Sequence, residues 1–522
     1  MRLEIYDTTL RDGSQTEGIS YTVKDKIMIA ERLDNFGIHY IEGGWPYSNP
    51  KDRELFAYLK KRPLKKAKLI PFGSTAHPSN PIHKDGNLIS LLKVDTEYVT
   101  IFGKSWDLHV KEALKVSLDD NLKLIDNSIS FLKKRGKRVF YDAEHFFDGY
   151  KHNKEYALKT IRSAMDSGCE LVIFCDTNGG SLPWEIQSIV REVKEVLGIK
   201  SFGIHCHNDL GLAIVNSLIS VNEGCIHIQG TINGYGERCG NADIIPIIAI
   251  LQLKMNYEVV SAQKLEELTE LSHFVSEISN VAHHNNYPFV GRSAFAHKGG
   301  VHIDAVLKNP LCYEHIDPRL VGNRRRFLVS ELAGKSTLVM KAKELDFELD
   351  KKSPKVKNLH KLLQELEKEG YQFEAAEASF KLLLHRELKK YKKFFELLGF
   401  RVIVEKREDE RLISEATVKL KVKDRLEHTA SEGDGPVNAL DNALRKALLS
   451  IYPQLSNIHL TDFKVRVLDE KRGTAAKVRV LIQLQDDTDS WTTIGVSENI
   501  IEASYKALVD AIEYKLLKDS KV

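Results

Sequence analysis

Leu3-Glu4-Ile5-Tyr6-Asp7-Thr8-Thr9-Leu10-Arg11-Asp12 opens the chain with a short apolar run that ends abruptly in hydroxyls and charges. Past a polar stretch, Val23–Phe36 carries apolar residues at helical spacing. The same unit then recurs. Further runs at Tyr40–Gly43, Leu69–Gly73, Tyr98–Phe102, Arg138–Asp142, Leu171–Asp176, Phe202–His207 and Ile226–Ile232 make eight strand candidates by about residue 235. Helical stretches such as Leu122–Lys134, Tyr156–Ser167 and Glu185–Leu197 lie between them. Near-continuous apolar strands alternating with amphipathic helices form a parallel sheet covered on both faces. Eight units in about 250 residues match the size of a closed (β/α)8 TIM barrel. A doubly wound open sheet normally stops at fewer strands, and no Gly-x-Gly-x-x-Gly follows the first run.

The remaining length requires more than one domain, since 522 residues exceed what a single core holds. From about Leu265 to Glu369 the chain reads as helical and charged, with a Gly/His-rich loop at Gly291–His302 and a Lys-rich linker at Asp350–Lys357. From about Tyr371 the texture becomes alternating and repeats itself. Gly435–Leu448 aligns without gaps on Gly495–Leu508, and each copy follows a strand-like segment, Ala416–Val422 or Ala476–Leu484. A glycine turn leading into a helix, twice, predicts a pseudosymmetric α+β domain suited to binding or dimerisation. The expected division is therefore a barrel over 1–264, a helical linker region contributing to the active site over 265–370, and an α+β regulatory or dimer domain over 371–522.

Composition narrows the function. Net charge is +3 from 76 basic and 73 acidic side chains, with no basic block of the kind a nucleic-acid binder concentrates on one domain. Arg324-Arg325-Arg326 is too short to alter this; a coenzyme A phosphate contact and a solvated loop explain it equally well. No apolar segment approaches the length that spans a bilayer, so no membrane partner is expected. The strand pattern from Met1 leaves no room for a signal peptide, and the six cysteines show no Cys-x-x-Cys pair. A reduced, cytoplasmic setting is the expectation.

The active site of a parallel barrel lies at the C-terminal strand ends. There the sequence places Arg11 and Asp12 after strand one, Glu42 on strand two, Asp142 and Glu144 on strand five, and Asp176-Thr177-Asn178 on strand six. Strand seven ends in His205-Cys206-His207-Asn208-Asp209, and Asn233, Glu237 and Asn241 follow strand eight. His205 and His207 are two apart, so both imidazoles face one side while Cys206 faces the other. With Asp12 and Asn241 they form a mixed nitrogen and oxygen set suited to a borderline or hard divalent ion. His-x-His alone also describes two histidines satisfied by neighbours; its place at a barrel strand end favours metal. Arg11 is either a salt-bridged arginine or the group that stabilises a developing oxyanion. Glu144 is either a partner that fixes Arg11 near substrate, the favoured reading, or a general acid or base. Thr177 can donate to a carboxylate, although Asp-Thr-Asn after a strand is also an ordinary helix cap.

Three strings, Asp7–Gly13, Gly203–Ala213 and Asn233–Asn241, with Ala294–His302, Tyr313–Gly322 and the C-terminal repeat downstream, resemble the metallo-barrel family. That family contains the isopropylmalate, homocitrate and citramalate synthases and hydroxymethylglutaryl-CoA lyase, and the likeness covers nearly the whole chain. Ser14 and the wording of Glu42–Asp52 are similar to the citramalate synthase branch. The resemblance implies condensation of pyruvate with acetyl-CoA and water to (R)-citramalate and CoA, a route into isoleucine. It implies Asp12, His205, His207 and Asn241 as ligands of a divalent ion (Mg, Mn or Zn), Arg11 as the residue polarising the keto oxygen, and Thr177 as the holder of the substrate carboxylate. Glu144 matches the catalytic carboxylate, and His302 and Tyr313 match residues that the segment after the barrel brings to the acetyl-CoA chemistry. The base, whether His302, Glu144 or a relayed water, stays open. The C-terminal repeat implies a homodimer with an isoleucine effector, or dimerisation alone. Isopropylmalate synthase activity on 2-oxoisovalerate is the near rival; a lyase, whose Gly-Gly-Cys-Pro-type loop is absent, and a non-catalytic amino-acid sensor are the distant ones.

Overall fold

The computed structural model describes residues 3–520 apart from 329–334, 346, 389–390, 392, 407–410, 470–472 and 474. The chain divides into two compact units, residues 1–295 with 316–325, and residues 296–315 with 326–522. Among the described residues no helix is long and apolar enough to cross a membrane.

The first unit is a closed parallel barrel, as expected. Its strands are β1 (Glu4–Asp7), β2 (Tyr40–Gly44), β3 (Lys68–Ser74), β4 (Tyr98–Lys104), β5 (Arg138–Glu144), β6 (Leu171–Asp176), β7 (Phe202–Cys206) and β8 (Cys225–Gly230). Each pairs with its successor, and β8 closes on β1 with Asp7 opposite Gly230. Alternation along the strands builds two separate cores. Tyr6, Tyr40, Ile70, Tyr98, Phe140, Ile173 and Cys175 point inward and fill the barrel. Residues of the opposite parity, among them Ile5, Ile41, Val99, Val139, Phe174, Ile204 and Cys206, point outward and pack under the helices. Cys206 is thus a core residue.

Local chemistry fixes where the helices begin and end. Thr22 and Asp25 form a reciprocal capping box for Val23–Phe36, and Gly37 ends that helix at φ 107°, a left-handed conformation natural to glycine. Pro183 opens the helix Pro183–Leu197, which Gly198 closes the same way. Strand β8 stops two residues earlier than the apolar pattern suggests. Thr231 leaves the barrel ladder to bridge Asp243, its N–H donating to the carbonyl of Ala242 at 3.0 Å.

The second unit contains the parallel pair β9 (Ala296–His297) and β10 (Arg326–Phe327), and helices Gly300–Lys308, Lys335–Glu344, Pro354–Glu369 and Glu377–Glu387. The stretch read as a Gly/His-rich loop therefore holds β9 and the first turn of a helix, which carries His302. Two three-stranded antiparallel sheets follow. β11 (Glu396–Lys406), β12 (Leu412–Val422) and β13 (Arg425–Gly433) lead into helix Pro436–Leu448; β14 (His459–Val467), β15 (Val478–Gln485) and β16 (Ser490–Ser497) lead into helix Ile500–Asp519. One core joins the two copies.

The repeat is real, but its register is one helical turn from the ungapped alignment. Gly435 caps its helix whereas Gly495 lies inside β16, and the matching cap of the second helix is Asn499. In that register Ala439, Ala443 and Ala447 correspond to Ala503, Ala507 and Ala511, all buried. A four-residue slip returns an α-helix to nearly the same face, so the ungapped alignment still superimposes Ala443 on Ala503 and Ala447 on Ala507.

Candidate metal centre

The chain leaves β1 through a tight polar turn. The Asp7 carboxylate accepts from the N–H of Thr9 at 2.9 Å and from its hydroxyl at 2.8 Å, and Thr9 Oγ1 accepts from the N–H of Ile232 at 2.9 Å. The loops after β1 and β8 are thereby stitched together, which carries Asp12 towards the end of β7. One ligand atom each from Asp12, His205 and His207, all three buried, falls within 4.8 Å of the others. His205 Nε2 stands 3.4 Å from Asp12 Oδ2, and the two imidazole centroids are 5.2 Å apart.

Asn241 completes the group. It pairs across an isolated β-bridge with His207, and its Nδ2 donates to Asp12 Oδ2 at 2.8 Å. Its Oδ1 is buried and accepts no hydrogen bond, an acceptor that a cation would use. The loop delivering it contains four left-handed residues, Asn233 (φ 62°), Gly234 (φ 66°), Arg238 (φ 57°) and Gly240 (φ 86°). A Cβ on Gly240 would fall 2.0 Å from the carbonyl of Gly234.

The surroundings prepare these donors. Burial pushes the His205 pKa down. Burial, the neighbouring His205 and Arg238 push His207 down to about 3, so that both rings are neutral. Burial alone would raise Asp12, but the Arg11 guanidinium and the hydrogen bond from Asn241 hold its carboxyl at about 2. His205 Nδ1 donates to Gln229 Oε1 at 2.9 Å, and Gln229 Nε2 donates to Asp142 Oδ1 at 3.1 Å. This relay leaves the lone pair of His205 on Nε2, facing Asp12. Neutral imidazoles, an ionised carboxylate and an unused amide oxygen fit a divalent cation.

Arg11 is held beside the cluster by a partner other than the one expected. Its Nε donates to Glu42 Oε1 at 2.6 Å and its Nη1 to Asp12 Oδ1 at 2.9 Å, while the guanidinium carbon lies 3.9 Å over the ring of Phe72. Glu42 is in turn bonded to the hydroxyl of Tyr6 at 2.7 Å. Glu144 does not fix Arg11. It lies directly across the β4–β5 ladder from Lys104 and forms its ion pair there, whereas Glu42 comes from β2, adjacent to Arg11's own strand. Thr177, at the end of β6, accepts from the N–H of His145 at 2.9 Å, which leaves its hydroxyl hydrogen for an outside acceptor. His302 and Tyr313 belong to the second unit, where their rings stack with centroids 4.2 Å apart.

Inward parity on the strands marks the residues that spacing of motifs misses. Glu42 follows Tyr40 at a period of two, and Gln229 follows His227 in the same way; a polar side chain at such a place must face the barrel interior.

Comparison with known proteins agrees with this architecture. Residues 2–275 match the family described as HMGL-like, residues 289–370 the homocitrate synthase post-HMGL domain-like family, and residues 374–516 the LeuA allosteric (dimerisation) domain. The chain is 54% identical over 521 residues to the (R)-citramalate synthase of Aquifex aeolicus, covering 100% of this chain and 99% of that protein. It is 52% identical to the (R)-citramalate synthase of Geobacter sulfurreducens, covering 100% and 98%. To the 2-isopropylmalate synthase of Methanocaldococcus jannaschii it is 31% identical, covering 100% and 96%.

Proposed function

The chain belongs to the HMGL-like family and, within it, to the citramalate synthases, and from this we propose that it condenses acetyl-CoA with pyruvate and releases (R)-citramalate and CoA. Full-length identities of 46–54% to five (R)-citramalate synthases, against 31% to an isopropylmalate synthase, carry the reading. The enzyme is an acyltransferase that turns the transferred acyl group into alkyl.

The donor set of Asp12, His205, His207 and Asn241 would hold a divalent ion of the Mg, Mn or Zn class, which when bound supplies Lewis-acid polarisation of the 2-oxo acid. The remaining chemistry falls to the chain's own residues. Arg11 has Nε and Nη1 occupied by carboxylates and Nη2 left to donate, so it stabilises negative charge growing on the keto oxygen. Stacking on Phe72 and the Glu42 bond set its geometry before substrate arrives, which avoids reorganisation during reaction. Thr177 donates its hydroxyl hydrogen to the substrate carboxylate. Glu144 and His302 are the proton-transfer candidates for the acetyl methyl, with Tyr313 beside His302. Water then cleaves the thioester and drains the equilibrium toward product.

We further propose that the twin repeat forms a homodimer and carries feedback by isoleucine, placing the enzyme in isoleucine biosynthesis. Such coupling requires a difference in effector affinity between two states of the protein. The test of the central reading is CoA release with a panel of 2-oxo acids, with and without chelator. Pyruvate is expected to lead and chelator to abolish turnover; preference for 2-oxoisovalerate would transfer the chain to leucine biosynthesis.

A further inference from the structure

Thr177 is the residue proposed above to hold the substrate carboxylate, and a hydroxyl does this best when its rotor is fixed, because a free one turns to suit any neighbour. The fixing comes from the next strand end. His145, one residue past β5, takes φ 55° and ψ 34°, the left-handed region, where a non-glycine residue persists only if its surroundings hold it. In this conformation its N–H donates across the rim to Thr177 Oγ1 at 2.9 Å. Its carbonyl accepts from the N–H of Gly149 at 2.9 Å and opens the helix Phe146–His152. Thr177 caps no helix of its own, since the next one begins only at Pro183. The Thr177 carbonyl accepts from Arg238 Nη2 at 2.8 Å. The loop after β8 therefore fixes its backbone, and the loop after β5 fixes its hydroxyl.

The side chain of His145 supplies the hold, with only 11% of its surface exposed. Nδ1 meets Asp148 Oδ2 at 3.1 Å, and that oxygen also accepts from Asn178 Nδ2 at 3.1 Å. The ring lies edge-on against His109, centroids 4.3 Å apart, and His109 stacks on Trp106 at 5.0 Å. Thr177, His145, Asp148 and Asn178 thus close a circuit between the ends of β5 and β6, backed by rings from the loop after β4. A glycine would adopt the left-handed backbone more easily but would leave Asp148 and those rings without the imidazole. We infer that His145 is a positioning residue for the reaction. Its ring locks the left-handed backbone, and that backbone aims the Thr177 hydroxyl hydrogen at the carboxylate of the 2-oxo acid. This role rests on the one given to Thr177.

Steady-state CoA release by the metal-loaded protein, with pyruvate and acetyl-CoA varied in turn, is the test. A branched side chain disfavours the left-handed region, so His145→Val should raise KM for pyruvate by about tenfold while KM for acetyl-CoA stays nearly unmoved. Asp148→Ala, which releases the ring and Asn178 together, should shift the same constant in the same direction by a smaller factor. Asparagine tolerates the left-handed region and keeps a donor for Asp148, so His145→Asn should restore most of the loss. Thr177→Val should also raise KM for pyruvate, and in that background His145→Val should add nothing, because the atom it acts through is gone. Circular dichroism checks that each variant folds. Wild-type KM for pyruvate in both His145→Val and Asp148→Ala overturns the inference and leaves the role of Thr177 standing. So does a His145→Val effect that persists in full beside Thr177→Val. Wild-type KM in Thr177→Val overturns both.

Discussion

Gln229→Leu should weaken metal binding without removing a ligand. Gln229 is fully buried on β8 and joins His205 Nδ1, at 2.9 Å, to Asp142 Oδ1, at 3.1 Å. A cation at His205 needs the lone pair on Nε2 and therefore the proton on Nδ1. In the wild type that proton has an acceptor; in the leucine variant it has none. An unmade hydrogen bond at a buried donor costs about 1–3 kcal/mol. Without metal the ring escapes the cost by moving its proton to Nε2, where Asp12 Oδ2 lies 3.4 Å away. The penalty thus falls on the metal-bound state, and losing the group that orients a ligand histidine weakens affinity by about 10–100-fold. The assay is a Zn or Mn titration of metal-stripped protein against a competing chromophoric chelator, beside turnover as a function of metal concentration. Turnover at saturating metal should recover most of the wild-type value. A dissociation constant within twofold of wild type, in a variant with unchanged circular dichroism, would refute the tautomer argument.

Two further predictions test the arginine and the barrel interior. Glu42→Ala frees the Arg11 guanidinium from its 2.6 Å partner and should lower kcat by about 100-fold, in the range of losing an oxyanion donor, while leaving KM for acetyl-CoA nearly unmoved; steady-state kinetics showing kcat within threefold would contradict the assignment. His227 sits fully buried among Tyr6, Tyr40 and Phe140 with neither ring nitrogen bonded, and burial pushes it down to about 3. Because its unfolded pKa is near 6.5, the unfolded chain takes up the proton first, so stability is intact above that value and lost as pH falls toward 3. The expected loss is roughly 2.7 kcal/mol by pH 4.5. His227→Leu should remove this part of the acid sensitivity, and hydrogen exchange of β8 amides at pH 7.5 and 4.5 would expose the error if both proteins lost protection equally.

The barrel was legible because each strand is buried on both sides and must be apolar along its length, with polarity confined to the ends. His205 and His207 were legible for a related reason, a period of two that puts both on the inner face. The Arg11–Glu42 pair was not. It depends on which strand end lies beside which, and Glu144 has the same chemistry as Glu42 but meets Lys104 across the β4–β5 ladder. Charge type alone cannot separate two glutamates on one barrel rim. The register of the C-terminal repeat failed for another reason. A helix presents almost the same face after four residues, so the pattern Ala439, Ala443, Ala447 matches Ala503, Ala507, Ala511 fully and still finds two alanines, Ala503 and Ala507, one turn earlier; the caps, Gly435 and Asn499, fix the register.

Charge at the barrel mouth gives Gln229 its larger meaning. Asp12, Glu42 and Asp142 are all buried there, and Arg11 is the cation shared among them. Asp12 stays ionised because Arg11 and the Asn241 amide face it, whereas burial and the neighbouring Glu42 carboxylate push Asp142 up. A protonated Asp142 gains a hydrogen-bond donor and would favour a turned Gln229 amide, with its oxygen towards Asp142 and its N–H towards His205 Nδ1. The imidazole proton would then move to Nε2 and close that nitrogen to a cation. An ionised Asp142 accepts instead, fixes the amide as observed and leaves the Nε2 lone pair open. A divalent charge beside Asp12 favours the ionised form of every carboxyl around it. A proton on Asp142 and a cation at His205 would therefore disfavour one another through a single glutamine, although neither would touch the other directly.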